Sequence, residues 1–267
     1  MDILSDVLSS LRLRARMYFR TEFAGSWGVA LPADRDTIRF HLVVQGQCWV
    51  TVDGHREPLC LREGDFALIP HGAGQNLADA ADSNSDSLDS LISTGALGND
   101  GVFRLGEGGK GHQTRLVCGF CSFDEGLAHP LIPGLPPVIV MDRRVTARSP
   151  WIAEIVRIMT MEAGLDAMGG TTVISRLMEV LFIHCIRHYC ETASDPGIPY
   201  LVAISDNKLK IAIEAMHEHP GREWSLTQLA QLAGMSRGRF AKRFKDVLGT
   251  HQCNTWPNGA CRKPGTC

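Results

Sequence analysis

No apolar run in this chain of 267 residues approaches the ~20 residues that a membrane-spanning helix needs. No membrane partner is therefore expected. The N-terminal "MDILSDVLSSLRLRARMYF" lacks the basic-then-apolar order of a secretory signal, so the expected location is the cytoplasm. A large net charge is missing too: 27 Lys+Arg stand against 29 Asp+Glu, a formal balance of −2. With 44% hydrophobic and 21% charged residues, the composition is that of a soluble globular protein. The length allows two domains with real cores.

Nine cysteines are present, but Cys253, Cys261 and Cys267 fall in an aperiodic tail. Their spacing fits no common zinc site. The others are Cys48, Cys60, Cys118, Cys121, Cys185 and Cys190. In a reducing compartment such residues act as small buried hydrophobes more often than as disulfides. The charge is unevenly spread. Residues 1–207 carry a balance of −8, whereas residues 208–250 carry +4 and the tail +2. A basic segment on an acidic body points to a polyanionic partner.

Residues 38–76 read as short strands closed by glycine: "IRFHLVVQG", "QCWVTVDG", "HREPLCLREG" and "DFALIPHG". Such even spacing predicts a small all-β sandwich or barrel. The Asp-, Ser- and Gly-rich stretch 77–113 reads as a flexible insertion. Strand character returns in "TRLVCGFCSFD", and "HPLIPGLPPVIVMD" follows. From Trp151 the period becomes helical in "WIAEIVRIMTMEAG" and "VISRLMEVLFIHCIRHYC". The second helix is apolar on more than one stripe and needs a second covering surface. A dimer partner or the barrel itself would supply it. "ETASDPGIPY" reads as a linker.

Residues 207–250 hold the most specific pattern. "NKLKIAIEAMHEHPG" is an amphipathic helix stopped by Pro220-Gly221. "SLTQLAQLAG" is a short helix capped by Ser225, with Leu226, Leu229, Ala230 and Leu232 inward. Gly234 is free to take positive φ in the turn. "SRGRFAKRFKDVLG" is a second helix capped by Ser236, with Phe240, Phe244, Val247 and Leu248 on one face. Helix, glycine turn and basic helix make a helix-turn-helix. The first turn of its second helix reaches base edges, and arginine pairs with guanine. Arg237 and Arg239 are therefore the candidates for base readout. Ser236 joins them at the helix start, while Lys242, Arg243 and Lys245 lie where phosphate contacts are expected.

"WSLTQLAQLAGMSRGRFAKRFKDVLGT" resembles the first helix-turn-helix of the AraC/XylS family of bacterial transcription regulators, through its LAxxAGMS core, Phe240 and Phe244, and the closing VLGT. "FHLVVQGQCWVTVDG…LREGDFALIPHG", "CGFCSFD…HPLIPGLPPVI" and "WI…" resemble the cupin-type sensor of one branch of that family. The resemblance spans roughly residues 5–250 and implies an α+β protein. A cupin-like β-barrel sensor would fill 1–145, a helical dimerisation segment 146–195, a linker 196–206 and the first helix-turn-helix 207–250. Expected partners are double-stranded DNA, a small-molecule effector or oxidant, and a second copy of the chain.

The family continues after VLGT with a pattern like PMQYLxxWRM and a second helix-turn-helix. His251–Cys267 can be back-translated so that reading from the third base gives PMQYLAQWRMPEAGDL. The tail 251–267 thus reads as a frameshifted copy of that continuation. A DNA-incompetent fragment acting through dimerisation is one alternative, and a cupin metal enzyme is another.

"Gly64-x5-Pro70-x-Gly72" fits the second cupin motif, but Gln75 stands where metal-binding members place histidine. The other ligand positions of the family fall near Arg39, Pro32 and Asp34. No metal, cofactor or catalytic residue is therefore expected. His71 follows Pro70 in a turn. Phe40, His41, Trp49 and Cys118 are the candidate effector or sensing residues, although strand alternation puts Phe40 and His41 on opposite faces. Cys118 and Cys121 likewise face opposite sides. His41 with Cys118 reads either as a zinc or thiol-sensing pair or as a core cysteine beside a hydrogen-bonded core histidine.

Overall fold

The computed structural model describes residues 14–35, 37–106, 112–122, 131–165, 167–192, 198–199, 202–203, 206–219, 222 and 224–248. The chain divides into two compact units: residues 14–122 with 136–192, and residues 1–13, 123–135 and 193–267. The expected tail, 251–267, lies outside the described residues.

In the first unit the described strands are β1 (Arg14–Ala24), β2 (Gly28–Leu31), β3 (Thr37–Gln45), β4 (Gln47–Val52), β5 (Leu59–Arg62), β6 (Phe66–Ile69), β7 (Gln75–Ala78), β8 (Asp86–Ser87), β9 (Val102–Leu105), β10 (Gln113–Ser122) and β11 (Ile139–Met141). They form two sheets, ordered β11-β6-β3-β10-β1-β9 and β5-β4-β7-β2-β8. A common apolar core draws Phe19, Phe23, Val43, Ile69, Phe103, Leu116 and Cys118 from the first sheet, and Val29, Cys48, Val50, Leu61 and Leu77 from the second. The architecture is therefore a two-sheet sandwich of the α+β class.

Strand β3 is central, and its residues from Thr37 to Val43 are all buried. A strand buried on both faces needs a cover on each. The odd positions of β3 face the second sheet. The even positions, including Phe40, pack on the other side, where Phe40 stacks on Phe66 with ring centroids 6.0 Å apart. Gly119 of β10 leaves room for that ring, since a Cβ there would collide with Phe40 and with the Arg16 carbonyl.

Helix α1 (Leu88–Ser93) follows β8, and α2 (Arg143–Arg148) follows β11. Helices α3 (Pro150–Gly164) and α4 (Gly170–Thr192) come next, and α4 lies against β1 and β11. It buries Ile174, Met178, Leu181, Phe182, Cys185 and Ile186. The Cys185 sulfur sits 3.0 Å from that of Met141, and the Ala15 amide donates to Glu179 at 3.2 Å. The helices expected in 146–195 thus share one unit with the sheets.

Two differences from the sequence expectation stand out. The stretch 77–113, expected as a flexible insertion, contains β8, α1 and β9 as well as the end of β7. Ser87 caps α1 by accepting from the Ser90 amide, and Asp100 holds Arg104 through two bonds of 3.0 and 2.8 Å. Among its described residues, Ser87 and Asp100 thus serve a cap and a turn. Strands β1 and β2 precede the expected strand region, and β1 pairs with both β10 and β9.

In the second unit, the linker residue Val202 donates its amide to the Ile198 carbonyl at 3.1 Å, a helical bond. Asp206 caps α5 (Asn207–Glu218) by accepting from the amides of Lys208 and Leu209. Helix α6 (Leu226–Leu232) starts with a capping box: Ser225 accepts from the Gln228 amide, and the Gln228 side chain accepts from the Ser225 amide. Gly234 takes φ +60 in the following turn, a left-handed conformation that glycine adopts at little cost. Helix α7 (Arg237–Leu248) then buries Phe240, Phe244 and Leu248. Leu229 and Ala230 are buried as expected, but Leu232 is 43% exposed. It occupies the last turn of α6, where Ala233 takes the inward position instead.

Candidate functional site

Two groups of residues answer the sequence-based expectations, one in each unit. The first is the basic face of α7. Because Phe240, Phe244 and Leu248 recur at helical spacing and anchor one side, the charged residues between them are turned outward. Ser236, Arg237, Arg239, Lys242, Arg243 and Lys245 are all exposed. Ser236 is engaged as a cap, its hydroxyl accepting from the Arg239 amide at 3.4 Å. Arg237 and Arg239 occupy the first turn, and Lys242 and Lys245 follow along the same helix.

Arg243 differs from its neighbours. Its Nε donates to Asp206 Oδ2 at 2.6 Å, and its Nη2 makes a second close contact with the same oxygen. Burial pushes the Asp206 carboxyl up, but the bonds from Arg243, Lys208 and Leu209 outweigh it and hold it below the ordinary aspartate value. Sequence reasoning assigned Arg243 to phosphate and passed over Asp206. The N-cap role of Asp206 is legible in "DNKLK", whereas its partner lies 37 residues away.

The second group lies between the two sheets. His41 of β3 stands opposite Cys118 of β10 in register, with Nδ1 3.1 Å from the Cys118 sulfur and Nε2 3.2 Å from Gln75 Oε1. All three are buried, with 1, 2 and 3% exposure. Burial lowers the His41 pKa to about 4, the Gln75 bond opposing it and the nearby Arg39 charge adding to it. Burial drives the Cys118 thiol well above its ordinary value, and the neighbouring Cys48 pushes the same way. At neutral pH the imidazole is neutral and the thiol protonated. Cys118 then donates to Nδ1, and His41 donates from Nε2 to Gln75.

Of the four residues expected together here, only His41 and Cys118 meet. Phe40 faces the opposite side of its sheet. Trp49 is half-buried between Cys48 and Val50, both of which enter the sandwich core, so alternation turns it away from that core. Gln75, seen in the sequence only as a missing metal ligand, is the third member of the cluster. Cys121 approaches Glu179 and Cys185 of α4, on the face opposite Cys118. Among the described residues no group of three or more His, Cys, Asp or Glu is placed to hold a metal ion.

A cleft of about 590 Å³ opens elsewhere on this unit, lined by residues including Arg20, Glu22, Glu63, Arg115, Thr160 and Ala163. Two of its charged groups pair with each other, Arg115 with Glu22 at 3.7 Å, and Arg20 donates to the Ala163 carbonyl at 3.0 Å. The sandwich interior, by contrast, leaves Gln75 Nε2 without a hydrogen-bond partner.

Residues 2–191 match the family model described as Cupin. Residues 216–250 match that of the bacterial regulatory helix-turn-helix proteins, AraC family. An AraC-like transcription regulator of Streptomyces antibioticus is 30% identical over 252 residues, covering 93% of this chain and 80% of that one. This chain belongs to the AraC family of transcription regulators. An HTH-type transcriptional regulator of Haemophilus influenzae is 28% identical over 93% of this AraC-type chain and 79% of its own. The HTH-type transcriptional regulator AlkR of Acinetobacter baylyi is 24% identical, covering 93% and 80%. The basic unit of this regulator is therefore a DNA-binding helix-turn-helix, and the sandwich is its cupin domain. No helix among the described residues is long and apolar enough to cross a membrane.

Proposed function

We propose that α7 of this AraC-type regulator enters the major groove of double-stranded DNA, and that a small molecule held in the cupin sandwich adjusts how tightly it binds. The observation that carries this reading is the two-sided character of α7. Phe240, Phe244 and Leu248 are buried, whereas Arg237, Arg239, Lys242 and Lys245 are exposed. A major groove admits one helix, base edges meet its first turn and phosphates meet its flanks. Arg237 and Arg239 read bases; Lys242 and Lys245 neutralise phosphates.

A small molecule is favoured over an oxidant because the thiolate is the species that oxidants attack. Cys118 is buried and held protonated, and the neutral His41 supplies no cation to activate it. The effector acts by binding one arrangement of the regulator more tightly than another. A homodimer fits the same picture, since α4 exposes Val173 and Val180 seven residues apart on one stripe. The proposed setting is the cytoplasm.

Selection of bound duplexes from a random pool, repeated with Arg237→Ala and Arg239→Ala, tests the DNA assignment. Each substitution is expected to cost ~1–3 kcal/mol and to relax preference at one base position. Enrichment profiles unchanged by both substitutions would overturn the assignment.

A further inference from the structure

Gly238 is the second residue of α7, inside the helix and exposed between Arg237 and Arg239. After proline, glycine is the residue least suited to a helix, because it gives up the most backbone freedom on folding. Nothing in the described fold calls for it here. Gly28, Gly72 and Gly119 are needed where they stand, since a Cβ at each would collide with backbone. Gly54, Gly95, Gly101 and Gly169 have open space around them but take positive φ. Gly238 has neither reason. Its φ is not positive, and among the described residues a Cβ there would meet nothing within 4 Å.

By helical spacing, Gly238 and Lys242 lie on the side of α7 turned away from Phe240, Phe244 and Leu248. The missing side chain therefore leaves a notch in the outward face. Arg237 and Arg239 flank it, and Lys242 stands one turn on. Ala241, three residues along and partly exposed, lies beside it. The floor of the notch is apolar, made of the Gly238 Cα and the Ala241 methyl, while its surroundings are cationic. Cations draw α7 towards a duplex, and the notch lets the helix come closer than a side chain would permit. In the major groove the apolar projection from the base edges is the C5-methyl of thymine. The group that glycine lacks and the group that thymine adds are both one methyl.

We propose that Gly238 is a specificity-determining residue of this regulator. Having no side chain, it seats the first turn of α7 against the floor of the major groove, where the C5-methyl of one thymine packs on its Cα and on Ala241. This rests on the DNA reading above and adds the residue that sets the depth of the helix and a base that it selects. Arg237 and Arg239 then reach the base pairs to either side.

Duplexes enriched by the unmodified full chain are remade with each thymine in turn replaced by deoxyuridine, which removes the methyl and keeps the pairing. One replacement is expected to weaken binding about fourfold, the worth of one buried methyl, and the others to change it little. Gly238→Ala is expected to weaken binding of the thymine duplex about tenfold, the cost of forcing a methyl into a filled site. On the responsive deoxyuridine duplex the same variant should recover most of that loss, because the alanine methyl takes the place of the missing one. Hydrogen exchange of the variant without DNA separates this from damage to the fold. Alanine favours the helix, so exchange in α7 should slow. Faster exchange accompanied by lost affinity would mean that the glycine serves the fold, and would overturn the proposal. Unweakened binding of the thymine duplex by Gly238→Ala overturns it too, as does equal sensitivity of parent and variant to every replacement. If Arg237→Ala and Arg239→Ala change the enriched sequences while Gly238→Ala leaves affinity intact, the DNA assignment stands without this inference. If the chain enriches no sequence, both fall.

Discussion

Arg243 on α7 is bound to Asp206, the residue that caps α5. The Nε–Oδ2 distance is 2.6 Å, and a second contact runs from Nη2. Asp206 is therefore shared between two helices: one oxygen holds the free amides at the start of α5, and the other holds a cation on α7. Exposed ion pairs contribute little in general. Here the carboxylate is largely buried, its side chain 11% exposed, and its geometry is fixed by the cap. The pair orients α7 against α5 and withdraws one positive charge from the basic face.

That withdrawal predicts unequal salt dependence among neighbouring residues. Each phosphate contact removed lowers the slope of log affinity against log salt by about 0.9. Lys242→Ala should lower it by nearly that amount, whereas Arg243→Ala should change it by much less. Asp206→Asn releases Arg243, so a steeper slope is expected from that variant. Fluorescence anisotropy on one duplex at several salt concentrations measures all three. Equal slopes for the two alanine variants would mean that Arg243 leaves Asp206 when DNA binds.

His41 makes stability depend on pH in a definite direction. Its pKa is near 6.5 in the unfolded chain and about 4 in the fold. Between those values the unfolded state holds the extra proton, so stability rises with pH across that window and falls as the solution is acidified from 6.5 towards 4. The full difference corresponds to roughly 3 kcal/mol. His184, also lowered to about 4 by burial and by Arg187, contributes in the same direction, but its more open position weakens its share. Denaturant unfolding of His41→Gln should show a clearly flatter slope between pH 4 and 6.5. An unchanged slope would place His41 in contact with water.

Ser225 tests the helix-turn-helix as a folded unit. Its hydroxyl and the Gln228 side chain satisfy each other's backbone amides at the start of α6, at 3.2 and 3.0 Å. Ser225→Ala should cost about 1 kcal/mol, and Ser225→Asp should cost much less because aspartate caps equally well. Hydrogen exchange at the Gln228 amide reports the loss directly. Protection at Phe244, deep in α7, should fall less than at Gln228 if α6 frays from its end.

How far these features were legible depended on sequence distance. Phe240, Phe244 and Leu248 sit at helical spacing, and their burial follows from local periodicity alone. Strands β3, β4 and β6 likewise announced themselves through β-branched runs ended by glycine. In β1 the alternation of Phe19, Thr21 and Phe23 with Arg20 and Glu22 carries the same information. Its arginines mask it to a reading that looks for apolar runs. The stretch 77–113 misled for the converse reason, since the serines and aspartates that cap α1 and hold Arg104 are the residues that also mark mobile loops. Pairings across the fold are another matter. His41 with Cys118 could be guessed because both lie on strands with a known facing rule, but the Gln75 bridge depends on the opposite sheet. Arg243 with Asp206 depends on how two helices cross, which no periodicity encodes.

The cysteines give a further chemical prediction, and it bears on the choice between ligand and oxidant. Cys48, Cys118, Cys121 and Cys185 are buried, whereas Cys60 and Cys190 are intermediate. Burial drives the thiols of Cys118, Cys121 and Cys185 upward and also raises that of Cys190. Alkylation and oxidation both require thiolate and access. Brief treatment of the native chain with iodoacetamide at pH 8, followed by peptide mass spectrometry, should therefore label Cys60 well before Cys118. Unfolding in denaturant should bring Cys118 up to the same rate. Dilute hydrogen peroxide should follow the same order, with sulfenic acid at Cys118 appearing only after the fold is lost. Early modification of Cys118 in the native chain would reverse the argument, because it would require an opening that exposes the thiol to solvent while His41 takes its proton. That opening would make the His41–Cys118 pair a redox sensor and remove the reason for preferring a bound effector.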